Sequence, residues 1–381
     1  MKKRIIIIIS LLIVLSLGTT YAWFSWNSSN NNVSFTIEGV NIIYNGGNDI
    51  TGIKLIPVTT KEKGVNDNTA IYKEITVSAN KEVNFNLYLD VETLGNGLKD
   101  ETFVWEIYKG NTLINNGNFK NINVGDTINL MLHEKTSTTT QTYKLYIYID
   151  GSVDNEVTLD NQAYSFKLHA DANDNPNEYV VALDADGGNV SNNKILVNKN
   201  QTYGTLPTPT REGYTFLGWN GKNMLDTKDV APLTKNGVTF SANNGVISLS
   251  GTNTYSSAYG INSYYTVPTL DSTKNYTLSV SNNISGVYVQ INYKKVSTST
   301  QASFISMNIG SLKSKTAAVP SDFDNLMYFF VGIYGTATNV NGQFTIQLEE
   351  GSEATAYEPY YITSSTSVVQ EKNHTLTAIW E

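Results

Sequence analysis

The side chains able to do chemistry are few, and their spacing excludes most of it. Three histidines are present, His133, His169 and His374, and there is no cysteine. His133 lies in LHEKT, which lacks the second histidine of a zinc-binding HExxH helix. None of the three has a partner at metal-ligand spacing. Glu349, Glu350 and Glu353 stand close together, but a glycosidase needs two carboxylates flanking one bond, and these read as loop residues of a closing segment. There is no GxSxG elbow, no phosphate-cradling glycine loop with its lysine, and no dinucleotide fingerprint. LPTPT at 206–210 begins like a sorting signal but lacks the glycine, apolar span and basic tail that would follow. The chain is therefore expected not to be an enzyme.

What the sequence offers instead is oxygen donors and aromatic faces. Asp171, Asn173 and Asn175, in DANDNP at 171–176, place several oxygens close together, and a hard cation such as Ca2+ takes six to eight. Asp184 and Asp186 lie near enough in sequence to add more. The spelling resembles the DxNDN calcium linker of cadherins, although no LDRE-like segment precedes it. Asp, Asn and Pro are equally the residues of any tight connection; the favoured reading is a plain linker over 173–177, with no metal or other cofactor. Among the 24 tyrosines, Tyr255, Tyr259, Tyr264, Tyr265, Tyr288 and Tyr293 are candidates for stacking on the apolar faces of sugars. Each also suits an ordinary strand or sheet edge.

The elements that must position these residues are strands. Hydrophobic residues make up 40% and charged residues 16% of 381, so the chain can bury sizeable cores, and its length fits two or three domains. Beyond the N-terminus no stretch has the 3.6-residue period of a long helix. Polar residues alternate with Val33, Phe35 and Ile37, with Ile75, Val77 and Ala79, and with Val83, Phe85, Leu87 and Leu89. The same holds for Phe103, Trp105 and Ile107, then Leu145, Ile147 and Ile149. Period-two alternation bounded by Gly, Asn and Asp marks antiparallel strands with one buried face, so 27–172 is expected to be a β-sandwich. Further strands are expected around Val238 and Phe240, at 246–249, 276–280, 287–291 and 344–348, with a hairpin turning at Asn244–Gly245. The fold class is all-β.

Residues 1–26 read as a signal peptide or membrane anchor. Lys2, Lys3 and Arg4 precede an apolar run, and Thr20 and Ala22 supply the small-residue pair at which a signal peptidase cuts. If the segment is not cleaved, it holds the chain in the membrane with the basic end inside. In either case the rest is expected outside the cell. The formal charge is −8 and falls further if the leader is lost, which makes nucleic acid an unsuitable partner. A cysteine-free exported β-protein suits the Gram-positive cell surface better than a disulfide-built one.

Three resemblances refine this. TYAWFSW after the apolar run resembles the leaders of the camelysin and TasA group of exported proteins, and 142–172 resembles the last strands of the domain that follows them; relatives include biofilm-matrix fibre subunits. The string from Tyr179 to Asn220 resembles the Listeria–Bacteroides repeat, also known as the internalin B-type B-repeat. Its Tyr203, Gly204, Leu206, Pro207, Pro209, Arg211, Gly213, Tyr214, Phe216, Gly218 and Trp219 all match. In the residues' own terms, Gly187 and Gly188 supply the positive φ of a tight turn, and Pro207 and Pro209 hold an extended segment. Tyr214, Phe216 and Trp219 would be a strand's buried side. The closing strand of such a repeat appears only at the C-terminus, in HTLTAIWE with Trp380. The expected module is therefore β-grasp-like, 178–222 plus 361–381, split by a domain at 223–360. The ending QLEEGSEATAYEPY of that insertion resembles jelly-roll-like β-sandwiches related to carbohydrate-binding domains.

The function expected is an extracellular surface protein for adhesion or for recognition of a glycan, a cell-wall polymer, or a host or neighbouring surface. The alternative is a structural subunit of a matrix fibre, self-assembling by strand pairing.

Overall fold

The computed structural model describes residues 24–25, 33–37, 40–45, 53–152, 162–173, 175–263 and 269–381. The expected leader helix and cleavage pair Thr20 and Ala22 lie outside these. Among the described residues no helix is long and apolar enough to cross a membrane. Two compact units form, one holding the chain up to Asn198 with Pro207–Phe216 and Lys372–His374, the other Lys199–Leu206, Leu217–Glu371 and Thr375–Glu381.

The first unit is built on two antiparallel sheets. One runs in the order Phe24–Ser25, Tyr164–Asn173, Asn84–Leu94, Thr127–Lys135; the other in the order Val33–Ile37, Val40–Asn45, Ile71–Ala79, Gln141–Ile149, Phe103–Lys109, Thr112–Asn118. The alternation seen in sequence becomes the core. Ile71, Ile75, Val77, Trp105, Ile107 and Leu145 meet Phe85, Leu87, Leu89, Ile128 and Phe166 in one buried cluster. A single-turn helix, Lys61–Asn66, is capped by Thr60, whose side chain accepts from the Lys63 N–H.

The strand Tyr164–Asn173 carries Asp171 and Asn173, so the sheet runs one residue into the expected linker. The hairpin Glu178–Asp184/Lys194–Asn198 follows. It is joined to the sandwich by amides. Asn129 N–H donates to Asn192 Oδ1 at 2.8 Å, Asn192 Nδ2 to the Thr127 carbonyl at 2.9 Å, and Asn193 Nδ2 to Asn115 Oδ1 at 2.8 Å.

The second unit contains a second pair of antiparallel sheets. The six-stranded one has the order Val230–Lys235, Val238–Asn243, Val246–Thr252, Asn339–Glu350, Asn275–Val280, Ser314–Ala318; the four-stranded one has the order Ser257–Ser263, Phe323–Tyr334, Val287–Lys295, Gln301–Asn308. Phe240, Ile247, Leu278, Val289, Ile291, Phe329, Val331 and Phe344 fill the space between them. The hairpin at Asn244–Gly245 forms as its residue types require, with φ of 47° and 77°.

In the same unit the chain after 360 returns to residues 199–206 and 217–220. Thr202 bridges Ser367, Trp219 bridges Ile362, and the Ile362 N–H donates to the Trp219 carbonyl at 2.7 Å. Glu358, fully buried, fastens this return. Its carboxylate accepts from the Lys222 N–H at 2.8 Å, the Gln370 amide at 3.2 Å and the Tyr203 hydroxyl at 3.3 Å.

Candidate functional site: a tyrosine face on the four-stranded sheet

Strand periodicity sorts the segment Phe323–Tyr334 into two faces. Phe329, Val331 and Ile333 enter the core. Tyr328, Phe330, Gly332 and Tyr334 share the other parity. On the neighbouring strands Tyr259 and Tyr288 are both cross-strand partners of Gly332. The missing side chain of Gly332 lets Tyr288 fold across it; a Cβ there would stand 2.3 Å from the Tyr288 ring.

The rings then lock one another. Tyr288 and Tyr334 stack at 3.9 Å and 17°. Tyr259 meets Tyr288 edge-on at 6.2 Å and Phe330 at 5.4 Å. Such geometries suit the ring quadrupoles. Tyr259 and Tyr334 remain 44% and 53% exposed, while Tyr288 and Phe330 are nearly closed off beneath them. Burial, followed by its contacts with Tyr259, pushes the Tyr288 hydroxyl well above its ordinary range. Hydrogen bonds from Ser257 and Tyr288 hold that of Tyr259 below it.

Amides and hydroxyls border the rings. Gln290 pairs across the strands with Phe330 and Ser306, and its amide donates to Asn292 Oδ1 at 2.7 Å. Asn308 sits opposite Tyr288, and the Tyr328 hydroxyl donates to Gln301 at 3.0 Å. Fixed aromatic faces beside short amides can stack on a sugar ring and bond its hydroxyls, with little side-chain freedom left to lose.

Of the six tyrosines expected from sequence, Tyr259 and Tyr288 come together here. Tyr255 is exposed on the loop before them, tied by Asn253, which donates to the carbonyls of both Tyr255 and Gly335. Tyr293 is in the core, stacked on Phe323 at 5.6 Å, and shows no face to solvent. Tyr264 and Tyr265 lie outside the described residues. Tyr328, Phe330 and Tyr334 are not expected from sequence, because MYFFVGIY hides its alternation behind two adjacent phenylalanines.

The remaining candidates are engaged internally. Asp171 accepts from Asn86 at 2.6 Å and from the Tyr88 hydroxyl at 3.2 Å, and burial raises its carboxyl above the ordinary range. Asn175 donates to Asn198 and accepts from the Asn177 N–H; for Asn173 only the backbone pairing with Asn84 is described. Glu349 and Glu350 belong to the strand Asn339–Glu350 rather than to a loop, because Glu349 satisfies Thr355 and Gln347 while Glu350 pairs with Lys274.

The repeat string is corrected in two places. Its turn takes positive φ at Asp186 (46°) and Gly187 (79°), not at Gly188, because the tight turn closes one residue earlier, from the Gly188 N–H to the Ala185 carbonyl. Aspartate tolerates that conformation through its short polar side chain. Tyr214 is 51% exposed rather than buried, because Arg211 stacks on it at 4.0 Å while its guanidinium donates to the Asp186 carbonyl at 2.9 Å. Phe216 is half-buried at the start of the strand Phe216–Asn220, in which Gly218 has the Tyr361 ring packed against it. Trp219 is the buried residue of that strand and Trp380 ends the strand His374–Trp380 half-buried. Gly213 has φ 76°, while Pro207 and Pro209 lie in the extended stretch before it.

The fold defines an all-β chain. Residues 179–236 match the family model of the Listeria-Bacteroides repeat domain, which suggests a bacterial surface protein. That match ends at Asn236, just past the strand Val230–Lys235 of the six-stranded sheet. Comparison with curated proteins by sequence finds no match. Among solved structures, vicilin from Capsicum annuum is 8% identical with a TM-score of 0.17, covering 86% of this chain and 85% of its own. Allantoicase from Saccharomyces cerevisiae is 11% identical at 0.15, covering 72% and 77%. An oxalate decarboxylase variant from Bacillus subtilis is 6% identical at 0.16, covering 87% and 78%. Scores this low carry no argument about this chain.

Proposed function

We propose that this is an exported cell-surface protein that recognises a glycan or cell-wall polymer and catalyses nothing. The observation that carries the reading is the tyrosine face: Tyr259 and Tyr334 exposed over a locked Tyr288–Phe330 base, with Gln290 opposite Phe330 and Asn308 opposite Tyr288. The matched surface repeat supports the setting. The test is a glycan and cell-wall-polymer array probed with the full chain. Retention of at least one saccharide by the native chain, lost in the Tyr259→Ala/Tyr334→Ala variant at unchanged melting temperature, is the expected result. An array on which the two proteins behave alike would sink the reading.

A second reading, a matrix-fibre subunit, draws on one pairing. Phe24–Ser25 adds to the edge of Tyr164–Asn173, in the register Phe24↔Ala170 and Ser25↔His169. An edge that accepts a strand from its own chain has the hydrogen-bonding groups to accept one from another. Concentration-dependent filaments under electron microscopy are its expected outcome; a chain that stays monomeric at high concentration contradicts it.

A further inference from the structure

A recess of about 680 Å3 opens in the second unit, sharing no residue with the tyrosine face. It is walled by residues 225–229, the hairpin tip at Asn244–Gly245 and the segment 357–366. Its volume falls in the range of small-ligand sites, roughly 300–1,000 Å3. Tyr360 and Tyr361 stand at 88° with centroids 4.9 Å apart, forming an aromatic corner. Tyr361 is set by its ring packing against Gly218 and by its hydroxyl, 3.3 Å from Asp226 Oδ2. Tyr357 reaches the hairpin, where a Cβ on Gly245 would stand 2.7 Å from its hydroxyl. Asp229 is turned to the same hairpin by the Asn244 N–H at 2.7 Å. Two carboxylates, Asp226 and Asp229, thus line the recess with one ammonium, Lys228, exposed at its rim.

From the cavity and its aromatic corner we infer a second binding site, one for a sugar residue carrying a free amino group. The cavity has room for such a ring. Perpendicular tyrosines offer one face to the C–H side of a pyranose and another to a cation. Asp226 and Asp229 supply the acceptors that an ammonium and its neighbouring hydroxyls need. Charge selects among sugars: two carboxylates against one lysine disfavour a uronic acid and leave room for one more positive charge. Burial, only partly opposed by Lys228 and Tyr361, holds the Asp226 carboxyl above its ordinary range, and an incoming ammonium would draw it back down. The site does not depend on the tyrosine face.

The test uses the full chain with two probes, the glucosamine tetramer and the N-acetylglucosamine tetramer, titrated calorimetrically at low salt near pH 6. The glucosamine tetramer is expected to bind saturably and at least about tenfold more tightly than its acetylated counterpart, a difference of about 1.4 kcal/mol. Tyr360→Ala and the near-isosteric Asp226→Asn are each expected to weaken it about tenfold or more, while Val296→Ala, at an exposed side chain outside both sites, leaves it within about twofold. Absence of saturable binding by the native chain overturns the inference. So does equal affinity for the two tetramers, or binding that Asp226→Asn leaves unchanged. Loss on Tyr259→Ala with retention on Tyr360→Ala would move the sugar to the tyrosine face and overturn this site while leaving the other standing.

Discussion

Tyr288 lies across Gly332, its partner on the adjacent strand, so closely that a Cβ on the glycine would stand 2.3 Å from the ring. The glycine is the seat on which the tyrosine face is assembled. Gly332→Val should therefore lift Tyr288, break its 3.9 Å stack on Tyr334 and cost about 1–3 kcal/mol of stability through overpacking. Thermal unfolding reads the second effect, and saccharide retention on the array reads the first.

Glu358 accepts from three donors in a site with no exposure. Glu358→Gln keeps the size but turns an accepting oxygen into an amide that meets donors. A loss of about 1–3 kcal/mol in urea unfolding is expected, with an unchanged far-ultraviolet spectrum. Equal stability would mean that the return of the chain after 360 is held by other contacts.

Two carboxyls of the first unit should titrate with opposite signs. Burial alone would raise Asp90, but hydrogen bonds from His169 at 2.6 Å and Thr127 at 2.7 Å outweigh it and hold the carboxyl below its ordinary range. Its stabilisation is present above the unfolded value, about pH 4, and is lost as pH falls through the folded one. Asp90→Asn should lower the melting temperature at pH 7 and converge on the native protein in acid.

Asp171 is the reverse case. Burial raises it, so its ionised form costs stability at neutral pH, and the cost disappears below about pH 4. Asp171→Asn is expected to hold or raise the melting temperature at pH 7. With Asn86 and Tyr88 on its oxygens, added calcium should leave the native melting temperature where it is; a clear rise would restore a metal to this stretch.

The amide joint of the first unit offers a local readout. Asn192 both accepts from the Asn129 N–H and donates to the Thr127 carbonyl. Asn192→Ala should cost about 1–3 kcal/mol and speed hydrogen exchange at the Asn129 amide, without changing the core.

What the sequence determined by itself was whatever nearest neighbours decide. Alternation at Ile71–Ala79 and Phe103–Lys109 fixed which side chains are buried, because successive strand residues point to opposite faces. Asn244–Gly245 called for its hairpin because both residues accept positive φ. Tyr293, a sugar-stacking candidate by its type, is core instead, on the parity of Val289 and Ile291. The tight turn at 185–188 was legible as a turn, though one residue off: Asp186 takes the strain-tolerant position that a glycine would fill by default.

Only the tertiary structure decided which strands lie side by side. Tyr259, Tyr288 and Tyr334 meet because Ser257–Ser263 and Val287–Lys295 flank Phe323–Tyr334 in one register. Pairing across so many residues is set by burial summed over the whole sheet, not by local spelling. Likewise Arg211 finds the Asp186 carbonyl, and Tyr361 finds Gly218 and Asp226, through chain returns that no sequence period announces. A site built from such returns becomes visible when the strands are placed, because its residues are neighbours in space alone.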